Sequence, residues 1–331
     1  MNILKNIKKN TIILLMITIV VLYIIIKNDF QEIVNTLKTI NNWYILLAIL
    51  FYLFYIGIKG YVNYLIVNDK KKISIKEAIK HNLIAQFFNG ITPFSTGGEP
   101  MEVYMLTKHH ISVEKATNYT IQSFIFYQIA LVICGIVAIM YNAFFHIFPK
   151  VKLLSNLVLI GFLINVTVIT VLLLISYSKF FSNIISKVII KITAKMKIPE
   201  EIAQQKIQNY YEGFQTLKKR KALSIIGVGL NIIGLLCLYI IPLCILKSIG
   251  NGQMMSVIET LITSSYVYLI GAFVPVPGAS GGIEYSFTQF YGNFVPVNNI
   301  SAMVLLWRCI TYYLGMIVGA IIFSIERKEN E

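Results

Sequence analysis

Apolar residues fall into six long runs separated by polar segments, and this pattern predicts a bundle of membrane-spanning helices. About 20 helical residues are needed to cross roughly 30 Å of hydrocarbon. Each run is that long or nearly so. The predicted spans are Thr11–Ile26, Trp43–Val67, Thr120–Tyr141, Leu153–Ser176, Leu223–Leu246 and Ile300–Phe323.

Two further stretches, one after the second span and one after the fifth, contain a proline and a pair of glycines. Gly90–Tyr104 reads GITPFSTGGEPMEVY, and Ala272–Tyr285 reads AFVPVPGASGGIEY. Proline and adjacent glycines break a helix. A broken backbone survives in lipid only where protein or a water-filled cavity satisfies its polar groups. We therefore predict two re-entrant helical hairpins, near residues 81–107 and 257–296.

The two stretches resemble each other at one constant offset along the chain, which predicts an internal repeat. An acid follows each glycine pair, and two unrelated breaks aligned by chance remain the alternative. The matching positions are Pro93 and Pro277, Gly97 and Gly281, and Gly98 and Gly282, with Glu99 and Glu284 as the acids. Breaks at corresponding positions of two halves indicate a binding site built from discontinuous helices.

Positive charge is distributed unevenly between the two sides of the predicted membrane. With the amino terminus in the cytoplasm, 22 of the 29 lysines and arginines fall in cytoplasmic segments, five in outer segments and two, Lys59 and Arg308, inside spans. This positive-inside bias places both termini in the cytoplasm. It also puts the first hairpin on the cytoplasmic side and the second on the outer side. The net charge of +14 is explained by this bias better than by DNA binding.

These patterns predict an all-α polytopic integral membrane protein with about six transmembrane helices and two oppositely oriented re-entrant hairpins in an inverted repeat. The chain forms a single membrane domain, with half-repeats 1–150 and 151–331. Segment 177–222 carries lysines between apolar residues at helical spacing, which fits an amphipathic helix on an anionic inner leaflet or a solvated connector. The chain is 56% hydrophobic and 13% charged, with a mean hydropathy of +0.71, which excludes a soluble domain.

Lys59 and Arg308 are the two cations predicted within spans. A cation in the membrane interior costs at least about 2.5 kcal/mol, so it usually faces a cavity or a partner. Lys59 also lies close enough to a span end to snorkel. Arg308 suits bidentate contact with a phosphate, or it pairs with Glu284.

The acids and glycines of the hairpins have structural and functional interpretations. Glu99 and Glu284 are placed to cap backbone N–H groups, to bind a headgroup amine or to carry a proton. Glu102 and Glu259 also lie near membrane depth. The glycine pairs either expose N–H groups to a phosphate or permit close helix packing. Gln86 and Asn89 add polar groups to the same region.

Signals for catalysis, metals and cofactors are weak in this sequence. It contains no Walker A, HExxH or GxSxG motif and no CxxC pair among its four cysteines. The four histidines are predicted to be at surfaces or interfaces rather than in a metal site. The first apolar run has no small-x-small cleavage site, so we expect a retained anchor. We expect no cofactor and no catalytic residue.

The motifs ITPFSTGGEPMEVYMLTKHHIS and FVPVPGASGGIEYSFTQFY resemble the lysylphosphatidylglycerol synthase transmembrane family, also called flippase-like or UPF0104 membrane proteins. The resemblance implies a polytopic bacterial membrane domain, found alone or fused to a soluble aminoacyltransferase. In the fused proteins the soluble domain transfers lysine from lysyl-tRNA to phosphatidylglycerol, and the membrane part moves the product lipid. Matched residue by residue, it supports Pro93, Gly97, Gly98, Glu99, Pro277, Gly281, Gly282 and Glu284 as functional. Because only SIERKENE follows Phe323, we expect no transferase domain.

The resemblance makes a lipid translocase in the plasma membrane the first expectation. Its partners would be phospholipids with anionic headgroups. The alternatives are a phosphatidylglycerol lysyltransferase, for which the basic segment 177–222 is the only candidate surface for lysyl-tRNA, and an accessory subunit of an envelope complex.

Overall fold

The computed structural model describes residues 36–67, 73–148, 152–177, 220–272 and 274–328, with a few isolated positions besides. All regular secondary structure in these ranges is helical. The predicted first span, Thr11–Ile26, and nearly all of the predicted basic connector lie outside the described residues. Between residues 42 and 148, the helices are α1 (Asn42–Val67), α2 (Ile75–Ile91), α3 (Gly98–Lys108) and α4 (Val113–Phe145).

The described helices after residue 150 begin with one span, α5, and then follow the same order. They are α5 (Lys152–Tyr177), α6 (Lys221–Tyr239), α7 (Ile241–Ser248), α8 (Val257–Gly271), α9 (Gly282–Tyr291), α10 (Val297–Arg308) and α11 (Leu314–Lys328). A π-helical turn, Cys309–Tyr313, joins α10 to α11.

Five helical stretches among the described residues are long and apolar enough to cross a membrane. They are Asn42–Val67, Val113–Phe145, Asn156–Leu174, Lys221–Ser248 and Asn299–Arg327. These stretches coincide with the second to sixth predicted spans and confirm the polytopic helical class. Large apolar side chains such as Trp43, 69% exposed, and Ile225, 74% exposed, cover outer faces that suit lipid.

Two of these spans contain interruptions that the sequence analysis did not predict. The predicted span Leu223–Leu246 is divided between α6 and α7 at Ile240, because Pro242 begins the next helix and has no N–H to donate. The last span has its π turn directly after Arg308. Such turns recur at functional sites.

Both proline-glycine stretches form two helices joined by a short 3₁₀ turn. The first consists of α2, the turn Pro93–Ser95 and α3, and the second of α8, the turn Pro277–Ala279 and α9. The first begins at Ser74 rather than near residue 81, because Ser74 and Glu77 form a reciprocal capping box.

A second capping box opens the other hairpin. Ser256 and Glu259 cap α8 as Ser74 and Glu77 cap α2. Glu259, one of the acids predicted near membrane depth, therefore lies in the first turn of a helix and bonds the backbone N–H of Ser256.

The backbone has similar conformations at the matched positions of the two stretches. Phe94 and Ser95 have φ of 53° and 52°, and the residues at the matching positions of the second half, Gly278 and Ala279, have φ of 61° and 54°. The starts of α3 and α9, and of α4 and α10, are related by the same offset as the two prolines. Left-handed φ at non-glycine residues is uncommon, so its recurrence at matched positions supports a structural repeat rather than two unrelated breaks.

In each hairpin, the first helix packs against the last span of the other half of the chain. Helix α2 packs along α11, and α8 packs along α4. Each pair joins the first limb of one hairpin to the last span of the other half. At matched positions, a Cβ on Gly319 would lie 2.1 Å from the carbonyl oxygen of Leu83, and one on Gly135 would lie 3.3 Å from Leu269 Cδ1. Small residues permit this close approach of helices.

Candidate functional site

The two proline turns touch each other. Pro93–Ser95 packs against Pro277–Ala279, and both turns also contact α2. We call this contact the break junction. The structure thus brings together two stretches that lie in different halves of the sequence.

Arg308 is buried against the second turn. Its Nε lies 2.7 Å from Glu284 Oε1. Its Nη2 donates to the carbonyl oxygen of Gly278 at 2.9 Å and to Ser280 Oγ at 3.2 Å. The guanidinium carbon lies 4.2 Å from the ring centroid of Tyr312. Arg308 therefore makes the pairing with Glu284 that the sequence left open beside phosphate binding.

Glu284 has two structural partners. One oxygen faces Arg308, and the other accepts a hydrogen bond from the backbone N–H of Gly281 at 2.6 Å. The residue is only 5% exposed. Glu284 therefore caps α9, one of the roles expected from its position, and it neutralises the buried guanidinium.

The first glycine pair is held by side chains of the preceding segment. Asn89 Oδ1 accepts from the N–H of Gly98 at 2.6 Å, and Thr92 Oγ1 accepts from the N–H of Gly97 at 2.8 Å. A Cβ on Gly98 would lie 2.5 Å from Asn89 Nδ2. These N–H groups can contact a phosphate only if the side chains move away.

The two glycine pairs are not equivalent in conformation. Gly281 has a φ of +87°, which favours glycine, whereas Gly97 has a φ of −83°. Glu99 makes no capping bond to Gly97 of the kind that Glu284 makes to Gly281, because Thr92 and Asn89 bond the N–H groups at that helix start. The two helix starts are therefore similar in position but are stabilised by different hydrogen bonds.

Two tyrosines tie the helices around the break junction together. Tyr312 Oη donates to the carbonyl oxygen of Gly90 at 2.9 Å, which links the last span to the first hairpin. Tyr52 Oη donates to Gln86 Oε1 at 2.7 Å. Gln86, predicted as a binding residue, thus has a partner on α1. Tyr312 was not predicted, although it follows Arg308 by one helical turn.

A second polar group, which we call the Lys59 cluster, lies between α1, α3 and α4. Its members are Lys59, Asn63, Glu102, Ser123 and Tyr127. Asn63 Nδ2 donates to Glu102 Oε1 at 3.2 Å, and Ser123 Oγ donates to Asn63 Oδ1. Lys59 Nζ lies 5.1 Å from the centroid of the Tyr127 ring. The ammonium group therefore faces protein side chains, as expected for a cation with an internal partner.

Sequence reasoning missed Asn63, Ser123 and Tyr127. A usable signal was present, because Lys59 and Asn63 are four positions apart on α1, and Ser123 and Tyr127 are four apart on α4. Side chains at this spacing share one helix face, so a polar pair at that spacing in an apolar span marks an inward face.

The histidines depart from their predicted surface position in one case. His81 is 5% exposed, and its ring centroid lies 5.3 Å from that of His109. Among the described residues, no group of three histidine, cysteine, aspartate or glutamate side chains is arranged to hold a metal ion.

Residues 11–319, which include both hairpins, the break junction and the Lys59 cluster, match the family described as lysylphosphatidylglycerol synthase TM region. The chain belongs to this family. It is a multi-pass membrane protein with an all-helical fold in its described ranges.

Three relatives are similar in sequence to this chain over most of its length. A UPF0104 membrane protein of Archaeoglobus fulgidus is 27% identical over 93% of this chain and 94% of its own length. An uncharacterized protein of Mycoplasma genitalium is 22% identical over 75% of this chain and 69% of its own. A homologue of it in Mycoplasma pneumoniae is 21% identical over 90% and 80%, respectively.

Proposed function

We propose that this protein moves a phospholipid with an anionic or lysylated headgroup, such as lysyl-phosphatidylglycerol, or another lipid-linked headgroup, between the leaflets of a bacterial plasma membrane. The observation that carries the proposal is the contact between two helix breaks at matched positions of a structural repeat. Paired breaks of this kind form the substrate sites of transporters built from repeats.

In the proposed mechanism, the break junction is the gate between the two sides of the membrane. The direct contact of the two turns corresponds to a closed state. Separation of the turns would expose the flanking polar residues to one side at a time. The Arg308 guanidinium is paired with Glu284. We therefore propose that Arg308 stabilises the second turn and does not make the first contact with the lipid.

We assign headgroup recognition to Lys59. Its ammonium group lies over a tyrosine ring, and within the described ranges it forms no ion pair with a carboxylate, so a phosphate could bind it without displacing one. The remaining predicted contacts are Gln86, Asn89, Glu99 and the residues of the two turns. No ATP-binding motif occurs in the sequence, so the driving force would be an ion gradient or the lipid's own gradient.

A second candidate function follows from the family's description, which names lysylphosphatidylglycerol synthase. A lysyltransferase would transfer lysine from lysyl-tRNA to phosphatidylglycerol, and its tRNA surface would be the basic segment 177–222. An accessory subunit of an envelope complex would show neither activity.

Purified protein in liposomes distinguishes these three functions. We expect fluorescent phosphatidylglycerol in the inner leaflet to become accessible to an external quencher faster than in protein-free liposomes. We expect no lysine to pass from charged tRNA to lipid. Lysine incorporation would favour the enzyme, and absence of both activities would favour the subunit.

Lys59→Gln is expected to reduce this lipid movement strongly with little change in thermal stability, because the amide keeps most of the length of the side chain but loses its charge. Lys247→Gln, at an exposed lysine near the end of α7, is the matched control and should move lipid at the wild-type rate. Wild-type movement by Lys59→Gln would remove Lys59 from the site.

The proposed orientation is tested by labelling single cysteines in intact cells. Gln253 and Ser112 are both exposed, so a cysteine at either position can react wherever reagent reaches it. In a background without the four native cysteines, Gln253→Cys should react with an impermeant maleimide and Ser112→Cys should not. Equal labelling would contradict the inverted arrangement with cytoplasmic termini.

A further inference from the structure

A small cavity with a few polar side chains in its wall lies beside the Lys59 cluster, between α1, α2, α3 and α4. Its polar lining consists of Asn63, His81, Glu102, Tyr119 and Thr120, and the rest of its wall is apolar. The space open to the centre of a water molecule is about 20 Å³. One water needs roughly 10–15 Å³ by this measure and two or more polar partners. The cavity therefore suits a water molecule and excludes a lipid headgroup.

An acid and a histidine both line this cavity. Glu102 accepts a hydrogen bond from Asn63, and the His81 side chain is buried. Both groups can gain or lose a proton, and a water between them can donate to one and accept from the other. Ionisable side chains in a membrane-embedded interior recur in proton relays.

His81 is connected to the surface through a second histidine. Its ring packs against His109, whose Nδ1 lies 3.8 Å from Glu77 Oε1. The side chains of His109 and Glu77 are 25% and 39% exposed. Hydrogen bonding from the Ser74 backbone N–H holds the pKa of Glu77 below its usual range, so this carboxylate stays charged beside His109.

We propose that Glu102 is a proton-binding site that is loaded from the surface through His109, His81 and the cavity water. A proton leaves the His81 imidazolium for the water, which passes one proton to a carboxylate oxygen of Glu102. Glu102 becomes a neutral carboxyl group and His81 a neutral imidazole, which is the form that burial favours, and His109 supplies the next proton to His81. Charge and protons balance at each step.

The charged groups around this route explain why protonation has a consequence. Lys59 from α1 and Glu99 on the same helix act electrostatically on Glu102, and α4 contributes Tyr119 and Thr120 to the cavity wall. The groups acting on His81 are His109, Glu77, Lys108 and Lys80. When Glu102 is neutral, the negative charge near the Lys59 ammonium is gone, and an anionic headgroup that approaches Lys59 is no longer repelled by it.

The link to lipid movement rests on the proposed function, whereas proton binding at Glu102 does not. Infrared difference spectroscopy of protein in lipid bilayers separates the two, since it detects the carbonyl stretch of a protonated carboxyl group without any transport. Lowering the pH should produce such a band in the wild type. We expect the band to be lost in Glu102→Gln and retained in the matched variant Glu99→Gln.

The route is tested by the rate at which the band grows after a pH jump. His81→Gln should slow it by about 100-fold, the lower end of what a positioned proton donor contributes. Ala78→Val, which fills the cavity wall but keeps His81, should also slow it. His110→Gln, at an exposed histidine outside this cavity, should leave the rate unchanged.

Two outcomes would overturn this inference. A carboxyl band that persists in Glu102→Gln removes the site, and wild-type rates in both His81→Gln and Ala78→Val remove the route. If the wild type shows the band but moves no lipid, the proton site stands and the proposed function fails.

Discussion

Arg308→Leu is expected to lower the free energy of unfolding by about 3–5 kcal/mol, the range for removing one partner of a buried ion pair. The substitution leaves the Glu284 carboxylate buried without its cation and removes the hydrogen bonds to Gly278 and Ser280. Chemical unfolding in mixed micelles measures the loss. We expect membrane insertion to persist, since leucine removes an insertion penalty.

A double variant distinguishes the contribution of Arg308 to stability from its contribution to lipid movement. Arg308→Leu combined with Glu284→Gln should recover most of the stability, because glutamine is neutral and its amide oxygen can still accept from the Gly281 N–H. If the double variant is stable but moves no lipid, Arg308 has a role beyond holding the turn. Full stability of Arg308→Leu alone would contradict the pairing as a source of stability.

Gly319→Ala is expected to destabilise the protein by about 1–3 kcal/mol through overpacking. The new Cβ would lie 2.1 Å from the Leu83 carbonyl oxygen, a backbone atom that cannot turn away. Helices α2 and α11 would have to separate. This would weaken one of the two contacts between a hairpin and the last span of the other half. Unfolding in mixed micelles again gives the magnitude.

Gly135→Ala provides the matched control within the same repeat. Its Cβ would lie 3.3 Å from Leu269 Cδ1, the end of a flexible side chain that can shift by a few tenths of an ångström. Alanine also favours the helix over glycine by about 1 kcal/mol, so this variant should be neutral or slightly more stable. Equal losses from the two substitutions would show that the backbone contact at Gly319 does not limit helix packing.

The two halves share a scaffold but not its chemistry. The 3₁₀ turns match between the halves, as do the starts of α3 and α9 and of α4 and α10. Each charged residue, however, has an uncharged residue at its matched position. Lys59, Glu102 and Ser123 correspond to Leu243, Ser286 and Trp307, and Arg308 and Glu284 correspond to Phe124 and Pro100. The second half therefore contains the Arg308–Glu284 ion pair, and the first half contains the Lys59 cluster.

Sequence patterns were enough to predict the membrane class, the five spans that the structure describes and both helix breaks. These features depend on local signals, because the length of an apolar run and the presence of proline or paired glycine act on the segment that contains them. The hairpin ends were less accurate where a capping box, as at Ser74 and Glu77, extended the helix.

Which side chains meet depends on tertiary packing and could not be predicted from local sequence patterns. Helix α2 packs on α11, and α8 packs on α4. Tyr312 bonds Gly90 across 222 residues, and Arg308 pairs with Glu284. All of these contacts depend on how distant helices pack. Glu99 and Glu284 look alike in sequence, but Asn89 and Thr92 bond the N–H groups at one helix start and Glu284 bonds one at the other. A side chain's role in a membrane interior is set by the partners that satisfy it there, and those partners come from elements far apart along the chain.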